Sequence, residues 1–393
     1  MLKKIVVGLV VILVAVFFTM VVGELRRRTP KLVNTIGGPE CAPGGMFTAS
    51  PIAPTDFLSI TPLGNLSPPD HTVPTDHIYV VIKENNTIDP AYDRPVRAPG
   101  DIVVQSINHN TAKKQGAVWS DDYALDITAC KDVRLNFGHV TSISPQLQAA
   151  FEAARPSCDT QVPRPGDDYT YCRAQLNYAM KAGEIIGTAG GGTATGLDIQ
   201  AVDRRQSGKP YANPKRYRSD ALHFVCPLDL FDEATKATLY EKLGSSRTKR
   251  TIEPRCGEVN QDVPGTAQGD WITGVKASDL IDQPGNWDKS IALVHDNFDP
   301  SVGIASIGGV IGSPTKIAFM PKHEGTINRE FSEVKPDGTV YCYQTDAQPG
   351  SGNIARSGSL LIQLTNATTM QVELTQASCS GSGSFSKPTT YER

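Results

Sequence analysis

Short runs rich in β-branched and aromatic residues, each closed by turn residues, recur from about residue 56 to the C-terminus. The runs at 77–82, 101–107 and 123–127 lie in the first half of the chain, and those at 291–294 and 360–364 lie in the second. Such runs predict β-strands, and the 35 glycines and 28 prolines supply turns between them. The sequence therefore predicts a mainly β protein whose C-terminal part is an antiparallel β-barrel or sandwich.

Two helices and a linker divide this β pattern. The stretch 145–154 predicts a short helix, and Asp232 is placed to cap a second helix that ends before Gly244. The polar run 245–250 then predicts an exposed linker. A chain of 393 residues exceeds one typical domain, so we expect two. The predicted order is a membrane anchor or signal, a tether, a first β domain, a helix with linker, and a second β domain, at 1–28, 29–55, 56–230, 231–262 and 263–393.

One segment is apolar enough to cross a bilayer. Residues 5–22 are apolar except for Gly8 and Thr19, and Lys4 precedes them. The apolar core of a cleaved signal peptide is shorter, about 7–15 residues, and ends at a small-residue cleavage site that this sequence lacks. We therefore expect an uncleaved N-terminal transmembrane helix, with a cleaved signal as the alternative, and residues 5–22 as the contact with the membrane.

The cysteines indicate the compartment. All eight follow the apolar segment, and no Cys-x-x-Cys pair suggests a structural zinc site or a redox motif. An even set of this kind favours disulfides in an oxidising space, with reduced core thiols as the alternative and the pairing left open. We therefore predict an extracytoplasmic protein, at the cell surface or in the periplasm.

Composition excludes two classes of protein. Lys and Arg number 38 against 41 Asp and Glu, a formal net charge of −3, which excludes a polycation built to bind nucleic acid. The chain is 20% charged and 39% hydrophobic, which excludes wholesale disorder. The basic run 201–218 has two interpretations, a solvated loop or a surface for a polyanion.

Five motif pieces follow one another in the first predicted domain. A histidine-rich segment at 70–77 comes first, Pro-Val-Arg-Ala-Pro-Gly at 95–100 second, and Phe-Gly-His at 137–139 third. Lys-x-Gly-x-x-Ile-Gly at 181–187 and Gly-Leu-Asp-Ile-Gln at 196–200 complete the series. This succession resembles the lysostaphin-like zinc metallopeptidases, which cut peptidoglycan cross-bridges.

The resemblance covers about residues 60–205 and implies a role for each matching residue. His71 matches the first zinc ligand, and Asp76 matches the second, with His77 as its alternative. His139 matches the catalytic histidine that polarises the substrate or stabilises the oxyanion. Adjacent side chains of a strand point to opposite faces, so we expect only one of Asp76 and His77 to bind an ion.

The chain departs from the family at the last motif, where His-x-His becomes Asp198-Ile-Gln200. Gln200 replaces a zinc ligand, and Asp198 replaces the second catalytic histidine. One hypothesis is a non-catalytic envelope protein, without zinc, whose lysostaphin-like domain binds cell-wall glycan, peptide or a protein partner. The other is an active zinc-dependent peptidoglycan or peptide endopeptidase that uses Asp198 in place of the missing histidine.

The second predicted domain opens on Gly269-Asp-Trp271 and closes on Arg393. This is similar to the Gly-x-Trp opening of lipocalin-like barrels. That resemblance implies that the C-terminal basic residue packs over the tryptophan. It also adds a third hypothesis, in which the barrel carries a small apolar ligand.

Overall fold

The computed structural model describes the part of the chain that forms one compact unit, at residues 39–41, 45–164, 166–208, 210–350, 358–381 and 383–393. The predicted membrane anchor at 1–28 lies outside these residues. Within them, no helix combines the length and the apolar character needed to cross a membrane.

The first sheet has ten strands, all paired antiparallel. Its main path runs β1-β2-β10-β6-β5-β4-β8-β7, and β9 pairs with both β3 and β6. The strands are β1 (Ser59–Thr61), β2 (His77–Val81), β3 (Arg94–Arg97), β4 (Ile102–Lys114), β5 (Ala117–Cys130), β6 (Val133–Ile143), β7 (Ser157–Arg164), β8 (Asp167–Met180), β9 (Ile185–Ala189) and β10 (Gly196–Asp203).

Alternation along β2 and β10 separates an apolar face from a polar one. Ile78 on β2 and Leu197 on β10 are fully buried in the first core. The intervening residues, including His77 and Asp198, are only partly buried and point to the other face. Because the two strands are neighbours, their polar side chains come together on one face of the sheet.

The second sheet has eight antiparallel strands in the order β14-β13-β12-β11-β18-β17-β16-β15. All eight contribute side chains to one core, so the sheet curls into a nearly closed barrel, the barrel form of the predicted barrel or sandwich. The strands are β11 (Gly269–Ile272), β12 (Ser290–His295), β13 (Gly303–Ile307), β14 (Thr315–Phe319), β15 (Tyr341–Tyr343), β16 (Ser359–Asn366), β17 (Thr369–Thr375) and β18 (Thr389–Glu392).

Two α-helices interrupt the strands, as predicted. The first, α1 (Pro145–Ala153), begins at Ser144, whose hydroxyl accepts from the Leu147 amide. The second, α2 (Glu233–Tyr240), is capped by Asp232, whose carboxylate accepts from the Thr235 amide at 2.8 Å. The second helix ends earlier than expected, because the residues that follow it form backbone hydrogen bonds with β1.

The two sheets meet through shared apolar clusters. Leu66, which precedes β2, packs against Val294 and Ile304 on the outside of the barrel. Consequently β12 is buried on both faces, which explains its continuous apolar run. The predicted tether also contributes, since Phe47 and Ile52 are each only 1% exposed and lie in the first core. Residues 45–55 are therefore part of the folded body.

Four disulfides pair all eight cysteines, as predicted, and indicate an oxidising environment outside the cytoplasm. Their sequence separations run from 14 to 89 residues, so they tie both short and long stretches of chain. The bonds join Cys41 to Cys130, Cys158 to Cys172, Cys226 to Cys256, and Cys342 to Cys379.

The Trp271–Arg393 contact that the lipocalin-like resemblance implies is present. The guanidinium carbon of Arg393 lies 4.3 Å from the centre of the Trp271 ring, and its Nη2 donates to the Thr266 carbonyl at 2.7 Å. Arg393 is only 4% exposed. Burial of this cation costs free energy, and its hydrogen bonds to carbonyl oxygens offset that cost.

We expect Arg393→Ala to lower the free energy of unfolding by about 2 kcal/mol, since both the cation–π contact and buried hydrogen bonds are lost. Urea unfolding followed by circular dichroism measures the change. Arg247→Ala is the matched control, because Arg247 is exposed and should give no measurable loss. Equal effects of the two substitutions would contradict the account.

The predicted linker is exposed in its middle and buried at its last residue. Residues 246–249 are exposed, whereas Arg250 is 3% exposed and its Nη1 donates to the Asn297 carbonyl at 2.9 Å. We therefore expect trypsin to cut first after Arg247 or Lys249 and to spare Arg250. The fragments should separate only after reduction, because the bond between Cys226 and Cys256 spans the cut. Early cleavage after Arg250, detected by mass spectrometry, would show that this packing is wrong.

Candidate functional site

The site begins on the polar face of the first sheet. His77 on β2 lies opposite Gln200 on β10, and Tyr79 lies opposite Asp198. On its other side β10 pairs with β6, where Asp198 lies opposite Gly138. A Cβ atom at position 138 would come within 3.3 Å of the Asp198 Cβ, so glycine lets β6 approach this carboxylate closely.

His139, the next residue of β6, has an unusual backbone. Its φ of 60° lies in the left-handed region. This conformation costs a non-glycine residue about 1–3 kcal/mol, and residues strained in this way are concentrated at functional sites. The ring then lies between two carboxylates. Its Nδ1 is 2.7 Å from Asp122 Oδ2, and its Nε2 is 3.4 Å from Asp198 Oδ2.

His77 lies between carboxylates in the same way. Its Nδ1 is 2.9 Å from Asp76 Oδ1, and its Nε2 is 3.5 Å from Asp198 Oδ2. Asp198 Oδ2 therefore faces the Nε2 atoms of two imidazoles, and a further carboxylate contacts the Nδ1 atom of each ring. A carboxylate behind Nδ1 fixes the orientation of the ring and the position of its proton.

These carboxylates favour the protonated form of both histidines. Burial lowers the pKa of His139, but the charges of Asp198 and Asp122 outweigh it and raise the pKa to about 9. Burial likewise lowers the pKa of His77, and Asp198 with Asp76 raises it above its ordinary value. At neutral pH His139 is therefore an imidazolium that lies between two carboxylates.

Asp76 is occupied on both oxygens. Oδ1 contacts His77, and Oδ2 accepts from the Arg218 guanidinium at 2.5 Å. Arg218 reaches on to Asp282 of the barrel domain, with its Nε 2.7 Å from Asp282 Oδ2. Burial raises the pKa of Asp76, but the bonds and charges of His77 and Arg218 hold it below its ordinary value, with a further bond from Gln200.

His71 lies at the edge of this cluster. Its ring centre is 5.5 Å from that of His77 and 4.7 Å from that of Trp287. Burial and the nearby charge of His77 lower the pKa of His71 to about 4, so its imidazole is neutral at neutral pH. His71 thus differs from His139 in charge as well as in position.

The structure brings the five sequence-predicted residues into one cluster, and their assigned roles stay predictions. The expectation that Asp76 and His77 diverge is not met, because β2 begins at His77 and Asp76 lies before the alternation starts. Sequence reasoning missed three contributors. Asp122 and Trp287 gave no motif signal, and Arg218 was one cation within a basic run.

Among the residues that the structure describes, no group of three or more His, Cys, Asp or Glu side chains is arranged to hold a metal ion. No protein-family model, curated protein or solved structure matches the chain. The lysostaphin-like and lipocalin-like resemblances therefore rest on the sequence motifs alone and stay predictions.

The raised pKa of His139 predicts how the free energy of unfolding depends on pH. Its pKa is raised from an unfolded value near 6.5 to about 9, so the stabilisation it provides is fully present below about pH 6.5 and is lost as the pH rises through about 9. We expect the difference in unfolding free energy between the wild type and His139→Gln to shrink over this range. His323→Gln, at an exposed histidine of the barrel domain, is the control. A difference that grows with pH would contradict the assignment.

Proposed function

We propose that this protein is an envelope-facing binding module whose lysostaphin-like domain binds cell-wall glycan, peptide or an envelope protein without cutting it. The predicted N-terminal anchor would hold it at the membrane. One observation carries the proposal: the Arg218 guanidinium lies against Asp76, the residue that the resemblance assigns to zinc. The guanidinium, a fixed organic cation, thus takes the place beside this carboxylate that the metal ion has in the family.

The residues present do not fit a zinc ion at the family position. Zinc needs carboxylate, imidazole or thiolate donors that are free to face it. Both oxygens of Asp76 are taken by His77 and Arg218, and Gln200 offers only a neutral amide. A divalent ion placed beside Arg218 would also meet its positive charge at short range. We therefore derive no hydrolytic step through zinc at His71, Asp76 and Gln200.

The same contacts favour the binding of a glycan or peptide. Ion pairs on both sides fix His77 and Arg218, so little side-chain freedom is lost when a ligand arrives. His139 is 43% exposed and presents a cationic edge to solvent. Polar, preorganised and partly open surfaces of this kind suit a glycan or peptide, whose hydroxyl and amide groups need fixed hydrogen-bonding partners.

Zinc content tests the proposal. The full chain, purified and then incubated with zinc and desalted, should retain far less than one zinc per chain by elemental analysis. A stoichiometric zinc ion that resists desalting would contradict a non-catalytic site.

The double variant Arg218→Ala/Gln200→His tests why we expect the wild type not to bind zinc. Removing the cation frees Asp76, and the new imidazole supplies the missing ligand, so the variant should bind zinc at least tenfold more tightly than the wild type. Arg247→Ala/Gln206→His makes the same chemical changes away from the cluster and should gain nothing. A folded Arg218→Ala/Gln200→His variant with unchanged zinc affinity would show that position 200 is not the family's ligand position.

A second candidate is metal-dependent peptide hydrolysis with a shifted ligand set, His77, His139 and Asp198, which would have to rearrange because these side chains are not placed to hold an ion in the structure. It is favoured by the approach of both Nε2 atoms to Asp198 Oδ2 at 3.5 and 3.4 Å, and by the carboxylate behind each Nδ1. An ion held there would supply an activated water. In this alternative His139→Ala should abolish zinc binding, whereas the first proposal expects the wild type to bind no stoichiometric zinc.

The barrel is assigned a structural role. Phe319, Phe331 and Tyr343 fill its core, with ring centres 4.8 to 5.1 Å apart. A carried apolar ligand, the third hypothesis, would have to displace these rings. Extraction of the purified chain with organic solvent, followed by mass spectrometry, would reveal such a ligand if the barrel held one.

A further inference from the structure

The polar face that carries the histidine cluster continues across the first sheet. In antiparallel pairs, residues directly opposite each other have their side chains on the same face. One row of opposed residues runs from β2 through β10, β6, β5 and β4 to β8. Its members are His77, Gln200, Asn136, Asp126, Ser106 and Gln175. The cluster is therefore one end of a longer polar face.

Two outer rows lie beside the first row on β5, β4, β8 and β7. Their members are Ala124, Asn108, Arg173 and Ser157 in one row, and Asp122, Asn110, Tyr171 and Asp159 in the other. Asp122 joins these rows to the cluster, because its Oδ2 is 2.7 Å from His139 Nδ1. The cluster and the outer rows thus form one continuous surface.

Small residues lie between the cluster and the outer end of this face. Gly138 on β6 is opposite Asp198, and Ala124 on β5 is opposite Asn108, so neither position raises a long side chain above the sheet. Beyond them, Tyr171 on β8 is 48% exposed. An aromatic ring that is open to solvent beside a shallow surface can pack against the apolar side of a sugar ring.

Two amide side chains lie in the outer rows next to Tyr171. Asn108 and Asn110 follow each other on the same face of β4, and both are only partly buried. Among the residues that the structure describes, neither side-chain amide has a hydrogen-bond partner. An amide offers a donor and an acceptor together, which is what a sugar hydroxyl needs, since a hydroxyl also donates and accepts.

The charges of the face favour an uncharged ligand. Arg173 Nη2 is 3.4 Å from Asp126 Oδ2, and Asp122 pairs with His139. Asp159, on the edge strand β7, is the remaining charged residue of the outer rows. A polyanion or a polycation would therefore meet no excess of opposite charge along the middle of the face.

The backbone of this face favours a glycan over a peptide. Extended peptides bind by adding a strand to an unpaired sheet edge, with pockets for alternate side chains. The strands β6, β5, β4 and β8 are each paired on both sides, so their backbone groups are already bonded within the sheet. What this surface offers a ligand is side chains alone.

We propose that this face binds a glycan strand that lies across the sheet from His139 to Tyr171. Tyr171 packs against a sugar ring, and the amides of Asn108 and Asn110 bond to its hydroxyls. Neighbouring strands are about 4.8 Å apart, so the distance from β6 to β8 is about 14 Å and fits several linked sugars. This deepens the proposed binding function, on which it rests, by selecting glycan from its three ligand classes.

The test is calorimetric titration of the full chain, in a detergent without a sugar headgroup, with two products of one cell wall. Amidase digestion of peptidoglycan gives glycan strands without peptide and peptides without glycan. We expect the glycan strands to bind and the released peptides not to bind. Because the face spans several sugars, a strand should also bind more tightly than its own disaccharide unit.

Tyr171→Val removes the aromatic ring and keeps a residue that suits an exposed strand position. We expect it to weaken the binding of glycan strands about tenfold, as truncation of an aromatic anchor does. Asn110→Ala is a second variant and should weaken binding about fivefold, the loss of one hydrogen bond. Thr170→Val is the control, because the Thr170 hydroxyl lies on the opposite face, 2.9 Å from Thr160 Oγ1, and the variant should bind as the wild type does.

Binding of the peptides in place of the glycan strands overturns the assignment of this face, and so does equal glycan affinity of the wild type, Tyr171→Val and Asn110→Ala. In either case the chain still binds a wall component, so the proposed binding function stands without the face. If glycan strands, peptides, intact peptidoglycan and envelope proteins all fail to bind, the assignment of the face and the proposed function fail together.

Discussion

The Arg218 guanidinium, held between Asp76 and Asp282, is the interaction on which the functional interpretation depends. It neutralises the carboxylate that would otherwise demand a cation beside His77. It also joins the first sheet to the barrel domain, since Asp282 precedes β12. A single side chain thus sets the charge of the site and the geometry of the junction beside it.

Asp198 is the second centre of the cluster. Two imidazoles share its Oδ2 atom, and the strained backbone at His139 and the absent side chain at Gly138 both serve to bring β6 close to it. Strain of this kind persists only where the surrounding structure fixes it. The antiparallel pairing of β10 with β2 and β6 provides that constraint.

Sequence patterns predicted the elements well where the signal was local. The strands expected at 77–82 and 291–294 and the cap at Asp232 follow from neighbouring residues, and the structure contains each of them. The even cysteine count predicted disulfides without their pairing, because pairing depends on which strands become neighbours. The motif order likewise predicted that His71, His77, His139 and Asp198 converge.

The partners of these residues could not be predicted in the same way. Arg218 meets Asp76 across 142 residues of sequence, and Asp122 reaches His139 because β5 and β6 pair with a register shift nearby. Within the sequence of the run 201–218 nothing distinguishes Arg218 from the other basic residues. Long-range pairs of this type depend on the packing of whole sheets, which a local sequence pattern does not contain.

The most direct test of the central claim is a crystal structure of the protein grown with zinc, with diffraction data collected on both sides of the zinc absorption edge. The account predicts that the Arg218 guanidinium lies between Asp76 and Asp282 and that no anomalous peak lies among His71, His77, His139 and Asp198. A strong anomalous peak at that position, with Arg218 turned away from Asp76, would contradict it.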